Sequence, residues 1–126
     1  MLKVLVLDNA ETLEYYNILS TLLPESQIEL VTSTSIACAR VQKSSYDLFV
    51  VSDIRDKINI LDLCFGIKHS SYNRFATTIV VSDNPTALAR CGDTLRGRKF
   101  RVYGHHEKPR VEKLLQALVE NSIKEV

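Results

Sequence analysis

Unbroken apolar runs of strand length recur along this chain, and each is followed by a segment whose apolar residues repeat at helical spacing. Runs without polar alternation are typical of parallel strands that are covered on both faces. The pattern predicts five strands, in the segments KVLVL, QIELVTS, DLFVVSD, TTIVVSD and KFRVY. Five strand–helix pairs in strict alternation predict an α/β fold, with one doubly wound, five-stranded parallel sheet and helices on both of its faces.

Four of the five predicted helices have a clear apolar stripe. The second, SIACARVQKSS, is weaker and follows two residues suited to capping, Ser33 and Thr34. Asn84 and Pro85 predict the cap and first turn of the fourth helix. The predicted inward stripes are Leu13, Tyr16, Leu19 and Leu23 in the first helix; Ile60, Leu63 and Ile67 in the third; Leu88, Cys91 and Leu95 in the fourth; and Val111, Leu114, Leu115 and Leu118 in the fifth.

Length and composition predict one globular domain over residues 1–126. Hydrophobic residues make up 45% of the chain, charged residues 25%, and the net charge is +1. A broad basic surface is therefore not indicated, and direct nucleic-acid binding is not expected. Arg96, Arg98, Lys99 and Arg101 form a locally basic cluster, which is more typical of a solvated loop and strand edge than of a phosphate or nucleic-acid patch.

The chain has no apolar run long enough to cross a bilayer and enters directly into a strand, so we expect a cytoplasmic protein without a membrane segment. Its three cysteines, Cys38, Cys64 and Cys91, are widely spaced inside apolar helical segments. That spacing matches no metal-ligand pattern and predicts small buried thiols.

Polar residues close four of the predicted strands. Asp8 and Asn9 follow the first strand, Ser52 and Asp53 close the third, Ser82 and Asp83 close the fourth, and His105-His106-Glu107-Lys108-Pro109 follows the fifth. In doubly wound sheets, ligands bind at the carboxyl ends of the strands. Carboxylates that converge there repel one another unless a hard cation such as Mg²⁺ lies between them. A hydroxyl and an ammonium nearby can bind the oxygens of a phosphoryl group, which is the minimum equipment for moving phosphate to and from an aspartate.

With these residues in this order, the chain resembles the receiver domain of two-component response regulators over its whole length. KVLVLDNA resembles the family's first strand with its acidic pair, FVVSDI the segment that ends in the phosphate-accepting Asp, IVVS the fourth strand, and EKPRVEKLL the Lys-Pro before the last helix. FVVSD is particularly similar to the third strand of the chemotaxis response regulators. The resemblance implies a flavodoxin-like (βα)5 fold with strand order 2-1-3-4-5.

The resemblance also implies a role for each site residue. Asp53 would be the phosphate acceptor, Ser82 the switch hydroxyl and Lys108 the phosphate contact, while Mg²⁺ would be bound by Asp8, Asn9, Asp53 and the backbone carbonyl of Arg55. The chemistry would be at most phosphoryl acceptance and autodephosphorylation. A histidine kinase or phosphotransfer protein would supply the phosphoryl group, and a downstream protein would receive the signal. The fold also allows a homodimer, and the domain could equally stand alone or belong to a longer protein.

The acceptor region departs from the family pattern. Asn9 replaces the second acidic residue, which removes a charge and should weaken Mg²⁺ binding. DIRDKIN lacks the Pro that usually follows the acceptor. The family commonly has an Asp five residues before its acceptor, whereas Asp47 lies five residues before Ser52 and six before Asp53. Ser52 in the acceptor position therefore stays an alternative.

The fifth strand departs as well. Tyr103 lies five residues before Lys108, so either GHH is an insertion or His105 takes the place of the family's switch aromatic. In the first case Lys108 would lie in a loop. The spacing from Lys108 to Leu115 in the last helix favours Lys108 as the family's lysine.

Simpler structural interpretations also exist. Asp8 with Asn9 could only cap the first helix, and Asp83 with Asn84 is more typical of a turn and cap than of a ligand pair. His105 and His106 are expected to be exposed loop residues rather than metal ligands. Two functions follow: an active receiver, or a degenerate receiver that binds partners independently of phosphorylation. A flavin carrier is not favoured, because DNAETLE is not a phosphate-cradling loop.

Overall fold

The computed structural model of the chain describes residues 2–52 and 60–124, with side chains up to residue 118. Strands and helices alternate throughout, as predicted. The strands are β1 (Lys3–Leu7), β2 (Gln27–Val31), β3 (Leu48–Ser52), β4 (Thr77–Val81) and β5 (Lys99–Tyr103). The helices are α1 (Glu14–Leu22), α2 (Thr34–Lys43), α3 (Ile60–His69), α4 (Pro85–Thr94) and α5 (Lys108–Lys124). Two short 3₁₀ turns, Ser71–Asn73 and His105–Glu107, were not foreseen.

The strands form one parallel sheet in the order β2-β1-β3-β4-β5, which confirms the predicted fold class and strand order. The order reverses at β1, which lies between β2 and β3. Because every strand runs the same way, all five carboxyl ends lie along one edge of the sheet, and the loops that follow them meet there.

Two apolar layers hold helices against the two faces of the sheet. One layer joins alternate residues of the strands to α2, α3 and α4, and the other joins the remaining strand residues to α1 and α5. Central strands β1, β3 and β4 are almost wholly buried, whereas β5 is a largely exposed edge strand. The unbroken apolar runs of the sequence thus correspond to strands covered on both faces.

The inward face of α1 differs by one residue from the predicted one. Tyr15 and Leu19 are buried against the sheet, while Tyr16 packs at the border of the core. The helix begins only at Glu14, because Leu13 has a left-handed backbone with φ of 46° that ends the turn before it. A left-handed leucine is uncommon, and here it turns the chain from the β1–α1 loop into the helix.

Other predicted faces and caps are confirmed in part. Ile60, Leu63 and Ile67 of α3 are buried as predicted, and Asn84 caps α4 through bonds from the amides of Thr86 and Ala87. The predicted caps of α2 differ: the Ser33 hydroxyl contacts the hydroxyl of Ser35, and neither Ser33 nor Thr34 accepts a bond from the first turn. No helix in residues 2–52 and 60–124 is both long and apolar enough to cross a membrane.

Candidate functional site

The two VVSD segments end β3 and β4, and the sheet pairs them one residue out of step. Val51 lies opposite Val80 and Ser52 lies opposite Val81, so Ser82 comes one residue beyond the last pair. On the other side of β3, Leu7 lies opposite Val51. The two serines of the repeat are therefore not equivalent, since Ser52 belongs to the last pair of β3 and β4 and Ser82 follows it.

Asp8 follows β1 directly and is 1% exposed. Its Oδ1 accepts a hydrogen bond from the amide of Asn9 at 2.8 Å, and its Oδ2 accepts one from the amide of Tyr16 at 2.8 Å. Tyr16 is the third residue of α1, so the carboxylate caps that helix from outside it, where the helix dipole favours negative charge. The capping interpretation of Asp8 is confirmed, and the carboxylate also lies at the carboxyl edge of the sheet.

The hydroxyl of Ser52 is directed at β1. It donates to the carbonyl oxygen of Leu7 at 2.8 Å, and its oxygen lies 3.5 Å from Oδ1 of Asp8. Ser52 is buried, and of these two acceptors the Leu7 carbonyl is the closer. The contact fixes the end of β3 beside Asp8.

Asn9 forms a tight turn in the β1–α1 loop. Its Oδ1 accepts from the amide of Glu11 at 2.8 Å, and its backbone carbonyl accepts from the amide of Leu13 at 2.9 Å. For Asn9 to bind a cation through its side-chain oxygen, that oxygen would have to share or give up the bond from Glu11. Carboxylate oxygens keep further lone pairs, so Asp8 suits a hard cation better than Asn9 does.

Ser82 and Asp83 connect β4 to the neighbouring loops. The Ser82 hydroxyl oxygen accepts from the amide of Asn84 at 3.1 Å, and its own amide donates to Tyr103 at 3.0 Å. Oδ1 of Asp83 accepts from the amide of His105 at 3.0 Å. Asp83 thus ties the loop after β4 to the loop after β5, in agreement with its predicted place in a turn.

Lys108 is the first residue of α5 and is separated from β5 by the 3₁₀ turn. Its Nζ lies 2.8 Å from Oε1 of Glu14, the first residue of α1. Both side chains are partly exposed and border a groove of about 670 Å³ between α1 and α5. The ammonium that sequence reasoning assigned to a phosphoryl group is therefore engaged by a carboxylate on a neighbouring helix.

His105 was expected to be an exposed loop residue, but it packs against the first helix. Its Nδ1 lies 3.0 Å from the hydroxyl of buried Tyr15, and the two rings are in contact. His105 is half-buried and differs from the expected exposed loop residue, whereas His106 is exposed as predicted. Tyr15 gave no signal beyond its place beside the predicted apolar stripe, so the sequence could not single out this pair.

Glu107 closes the 3₁₀ turn after β5. Its Oε1 accepts from the amide of Gly104 at 3.0 Å, and its Oε2 pairs with Arg110 at 3.1 Å. The Gly104 amide, followed by the nearby Arg110 and His106 charges, holds the pKa of Glu107 below its ordinary value. The side chain therefore stays ionised and fixes the turn that separates Lys108 from β5.

Of the predicted site residues, Asp53 and Arg55 lie outside the described residues. Among the described ones, Asp8, Ser52 and Ser82 come together at the ends of three adjacent strands, and Asn9 lies in the loop beside them. Within residues 2–52 and 60–118, no group of three His, Cys, Asp or Glu side chains could hold a metal ion.

The fold is that of a receiver domain. The chain aligns with the crystal structure of the receiver domain of sensor histidine kinase PA1611 from Pseudomonas aeruginosa PAO1, with a TM-score of 0.71, over 92% of this chain and 95% of that chain. Sequence identity is 14%, and that structure has a magnesium ion coordinated in its active-site cleft. No protein-family model and no curated protein sequence matches the chain.

Proposed function

We propose that this chain is a phosphorelay receiver that accepts a phosphoryl group on Asp53. The observation that carries the proposal is the convergence of Asp8, the end of β3 and Ser82 at the carboxyl edge of a receiver-type sheet. Asp53 is the next residue after Ser52. A histidine kinase or phosphotransfer protein would donate the phosphoryl group, and contact with another protein would carry the signal onward.

The position of Ser52 favours Asp53 over Ser52 as the acceptor. A serine that acts as a nucleophile needs a base to take its proton, yet the Ser52 hydroxyl is directed mainly at the Leu7 carbonyl at 2.8 Å. The carboxylate oxygen near it, Oδ1 of Asp8, is farther away at 3.5 Å and already accepts from the amide of Asn9. A carboxylate needs no such base, because it is already ionised at neutral pH. We expect Ser82, which lies one residue beyond the Ser52–Val81 pair, to donate its hydroxyl to a phosphoryl oxygen.

The neighbour's magnesium ion suggests the same cofactor for this chain, with Asp8 as its firmest ligand. Mg²⁺ bound there would neutralise the negative charge that gathers on the acceptor and on the phosphoryl oxygens. Asn9 supplies a neutral oxygen that is bonded to Glu11, so we expect weaker Mg²⁺ binding than at a site with two acidic residues.

Acetyl phosphate with Mg²⁺ tests the proposal directly. Transfer breaks the bond between the phosphorus and the acetyl oxygen, releases acetate and forms an acyl phosphate on Asp53. We expect intact-mass spectrometry to show the gain of one phosphoryl group, which is lost in Asp53→Asn and sharply reduced in Asp8→Asn. Asp83→Asn is the matched control, since its carboxylate lies in the next loop and bonds only the amide of His105 among its described contacts.

Ser52→Ala separates the two candidate acceptors in the same assay. We expect this variant to be phosphorylated like the wild type. A phosphoryl group that survives Asp53→Asn and disappears in Ser52→Ala would show that Ser52 is the acceptor. A folded sample that gains no mass in millimolar Mg²⁺ would overturn the proposal.

The Lys108–Glu14 ion pair favours a second candidate, a receiver-fold module that binds its partner without phosphorylation. The Lys108 ammonium lies 2.8 Å from Glu14 on α1, so it is bound to that carboxylate rather than to a group at the strand ends. The candidate metal site also carries one negative charge fewer, because Asn9 takes the place of an acidic residue. In that case partner binding would be equal for the wild type and for Asp53→Asn. Equal pull-down of the same protein by both forms would support it.

A further inference from the structure

A second concentration of functional groups lies at the opposite edge of the sheet from the candidate phosphorylation site. Thr77 and Lys99 form the first pair of β4 and β5, at the amino ends of these strands. The end of α3, the segment before β4 and the turn before β5 meet there around a cavity of about 580 Å³. The described residues that line it are Lys68, Arg74, Phe75, Gly97, Arg98 and Lys99.

Two of the four cations of this basic cavity, Lys68 and Arg98, are fixed by backbone carbonyls. Nζ of Lys68 donates to the carbonyl of Arg96, and Nη2 of Arg98 donates to the carbonyl of Lys68 at 2.7 Å. These reciprocal bonds join the end of α3 to the turn before β5. Gly97 has φ of 90°, and a Cβ there would lie 3.2 Å from Nζ of Lys68, so glycine allows the close approach.

The described lining residues of the cavity carry positive charge alone. No Asp or Glu is among its described lining residues, and within the described chain Lys68, Arg74, Arg98 and Lys99 form no ion pair. The nearby Asp93 is taken by Arg96. Four like charges held together repel one another, and an anion of high charge relieves that repulsion.

Arg98 also presents a hydrogen-bond donor that the described chain leaves unused. Its Nη1 is buried and finds no acceptor among the described residues, although Nη2 of the same guanidinium is bonded. Arg98 is partly exposed at the cavity, and a guanidinium is well suited to a phosphate oxygen.

Phe75 adds a flat apolar surface to the basic cavity. Its ring is 83% exposed, the highest value among the large hydrophobic side chains that remain exposed. Neighbouring Arg74 is also exposed, so ring and guanidinium are accessible together. A ligand that carries both phosphates and an aromatic base matches these two kinds of contact.

We propose that this basic cavity binds a nucleoside di- or triphosphate, with its phosphates on Arg98, Arg74 and Lys99 and its base against Phe75. The cavity volume is within the range of small-molecule sites. The charge of three or four on such a ligand balances the four cations, which a single carboxylate cannot do. A long nucleic acid would need a basic track, and a chain of net charge +1 does not offer one.

Isothermal titration of the full chain with ADP, ATP and pyrophosphate, in EDTA at low salt, tests this proposal. EDTA keeps Mg²⁺ from the carboxyl edge of the sheet. We expect saturable binding of one nucleotide per chain, which weakens as salt is added. Arg98→Gln and Arg74→Gln should each weaken ATP binding by about tenfold or more. Lys43→Gln, which removes an equally exposed cation from the end of α2, should change it less than about twofold.

Phe75 separates a nucleotide site from a simple phosphate site. Phe75→Ala should weaken ATP by about fivefold to tenfold and leave pyrophosphate unchanged. Because Arg98 also holds the turn, thermal melting checks that Arg98→Gln is folded, and Arg74→Gln tests the charge at an exposed position. Arg74→Gln needs no such safeguard, since its side chain is outside the core.

Three results would overturn the proposal. They are the absence of saturable ATP binding by the wild type, equal loss of affinity in Lys43→Gln and Arg74→Gln, and tighter binding of a polyglutamate peptide or a single-stranded oligonucleotide than of ATP. The site is independent of phosphorylation, so Asp53→Asn should bind ATP like the wild type. Absence of Asp53 phosphorylation would therefore not contradict ATP binding at the basic cavity, and absence of ATP binding would not contradict phosphorylation.

Discussion

Asn73 shows how much one buried polar side chain can organise in this protein. Its Oδ1 accepts from the amide of Tyr46 at 2.7 Å, and its Nδ2 lies within 3.0 Å of the carbonyls of Val41 and Ser44 and of the Ser70 hydroxyl. One amide thus joins the end of α2, the entry to β3 and the 3₁₀ turn before β4. It satisfies backbone groups that would otherwise be buried without partners.

Replacing Asn73 by Ala should therefore destabilise the fold strongly. Loss of the amide removes the described partner of the Tyr46 N–H and of the Ser44 carbonyl, and we expect the free energy of unfolding to fall by about 2–4 kcal/mol. Urea unfolding followed by circular dichroism measures this change. Asn17→Ala, at an exposed position of α1, is the control and should change stability by less than about 0.5 kcal/mol. Equal effects of the two variants would contradict the role given to Asn73.

The sequence could not have singled out Asn73, because its partners are 27 to 32 residues away or in a turn that no local pattern predicts. Ser82, by contrast, could be chosen from the end of an apolar run. Strand ends are local signals, and a parallel sheet brings them to one edge whatever the loops do. Contacts between distant segments, such as that of Tyr15 with His105, form only in the folded chain, so neither segment has a sequence pattern that predicts them.

At the scale of elements, α1 and α5 determine which charges reach the candidate site. The Asp8 carboxylate caps α1 by accepting from the amide of Tyr16. Glu14, the first residue of α1, forms an ion pair with Lys108 of α5. The 3₁₀ turn His105–Glu107 moves Lys108 away from the end of β5. Sequence spacing could place Lys108 before the last helix, but it could not predict this turn or the carboxylate opposite.

Glu14→Gln tests whether this ion pair limits phosphoryl transfer, a role that depends on the proposed function. A partly exposed pair stabilises the fold little, so the free energy of unfolding should change by less than about 1 kcal/mol. Freed from Glu14, the Lys108 ammonium can turn toward the phosphoryl oxygens, and we expect Asp53 phosphorylation by acetyl phosphate to become several-fold faster. The rate is read as phosphorylated mass against time.

Glu11→Gln is the matched control for that experiment. Glu11 lies in the same loop, is exposed and loses the same charge, yet it forms no ion pair with Lys108 among the described contacts. Its rate should therefore stay close to that of the wild type. If Glu14→Gln is phosphorylated no faster than Glu11→Gln, the ion pair between Lys108 and Glu14 does not limit phosphoryl transfer.

The whole molecule is one sheet between two helical layers, with different chemistry at its two edges. The carboxyl edge holds Asp8, Ser52 and Ser82, and the amino edge holds the basic cavity around Arg98. The five-residue strands separate the two edges by roughly 15 Å. The fold class was predictable because every strand and helix repeats the same local signal, and the strand order followed from the resemblance to receiver domains. The basic cavity was not predictable, since α3 and the turn before β5 meet only in the folded chain.

The thiols report on the integrity of the layer formed by α2, α3 and α4. Cys64 and Cys91 are fully buried between α3 and α4, while Cys38 on α2 is partly exposed. The hydrogen bond with Cys91 and burial raise the pKa of Cys64 well above its ordinary value. Burial and the nearby Asp62 charge also raise the pKa of Cys38, though its sulfur can be reached by solvent.

Alkylation by iodoacetamide should therefore label the three cysteines in two classes. Since the thiolate is the reactive form and the pKa of Cys38 is raised, Cys38 should react more slowly than a free cysteine at pH 8, and its rate should rise about tenfold per pH unit below that pKa. Cys64 and Cys91 should react only when the layer opens, so their labelling should follow unfolding in urea, as read by peptide mass spectrometry. Cys38→Ser should remove the early label and leave the other two unchanged. Labelling of Cys64 as fast as Cys38 without denaturant would mean that α3 and α4 separate in the native protein.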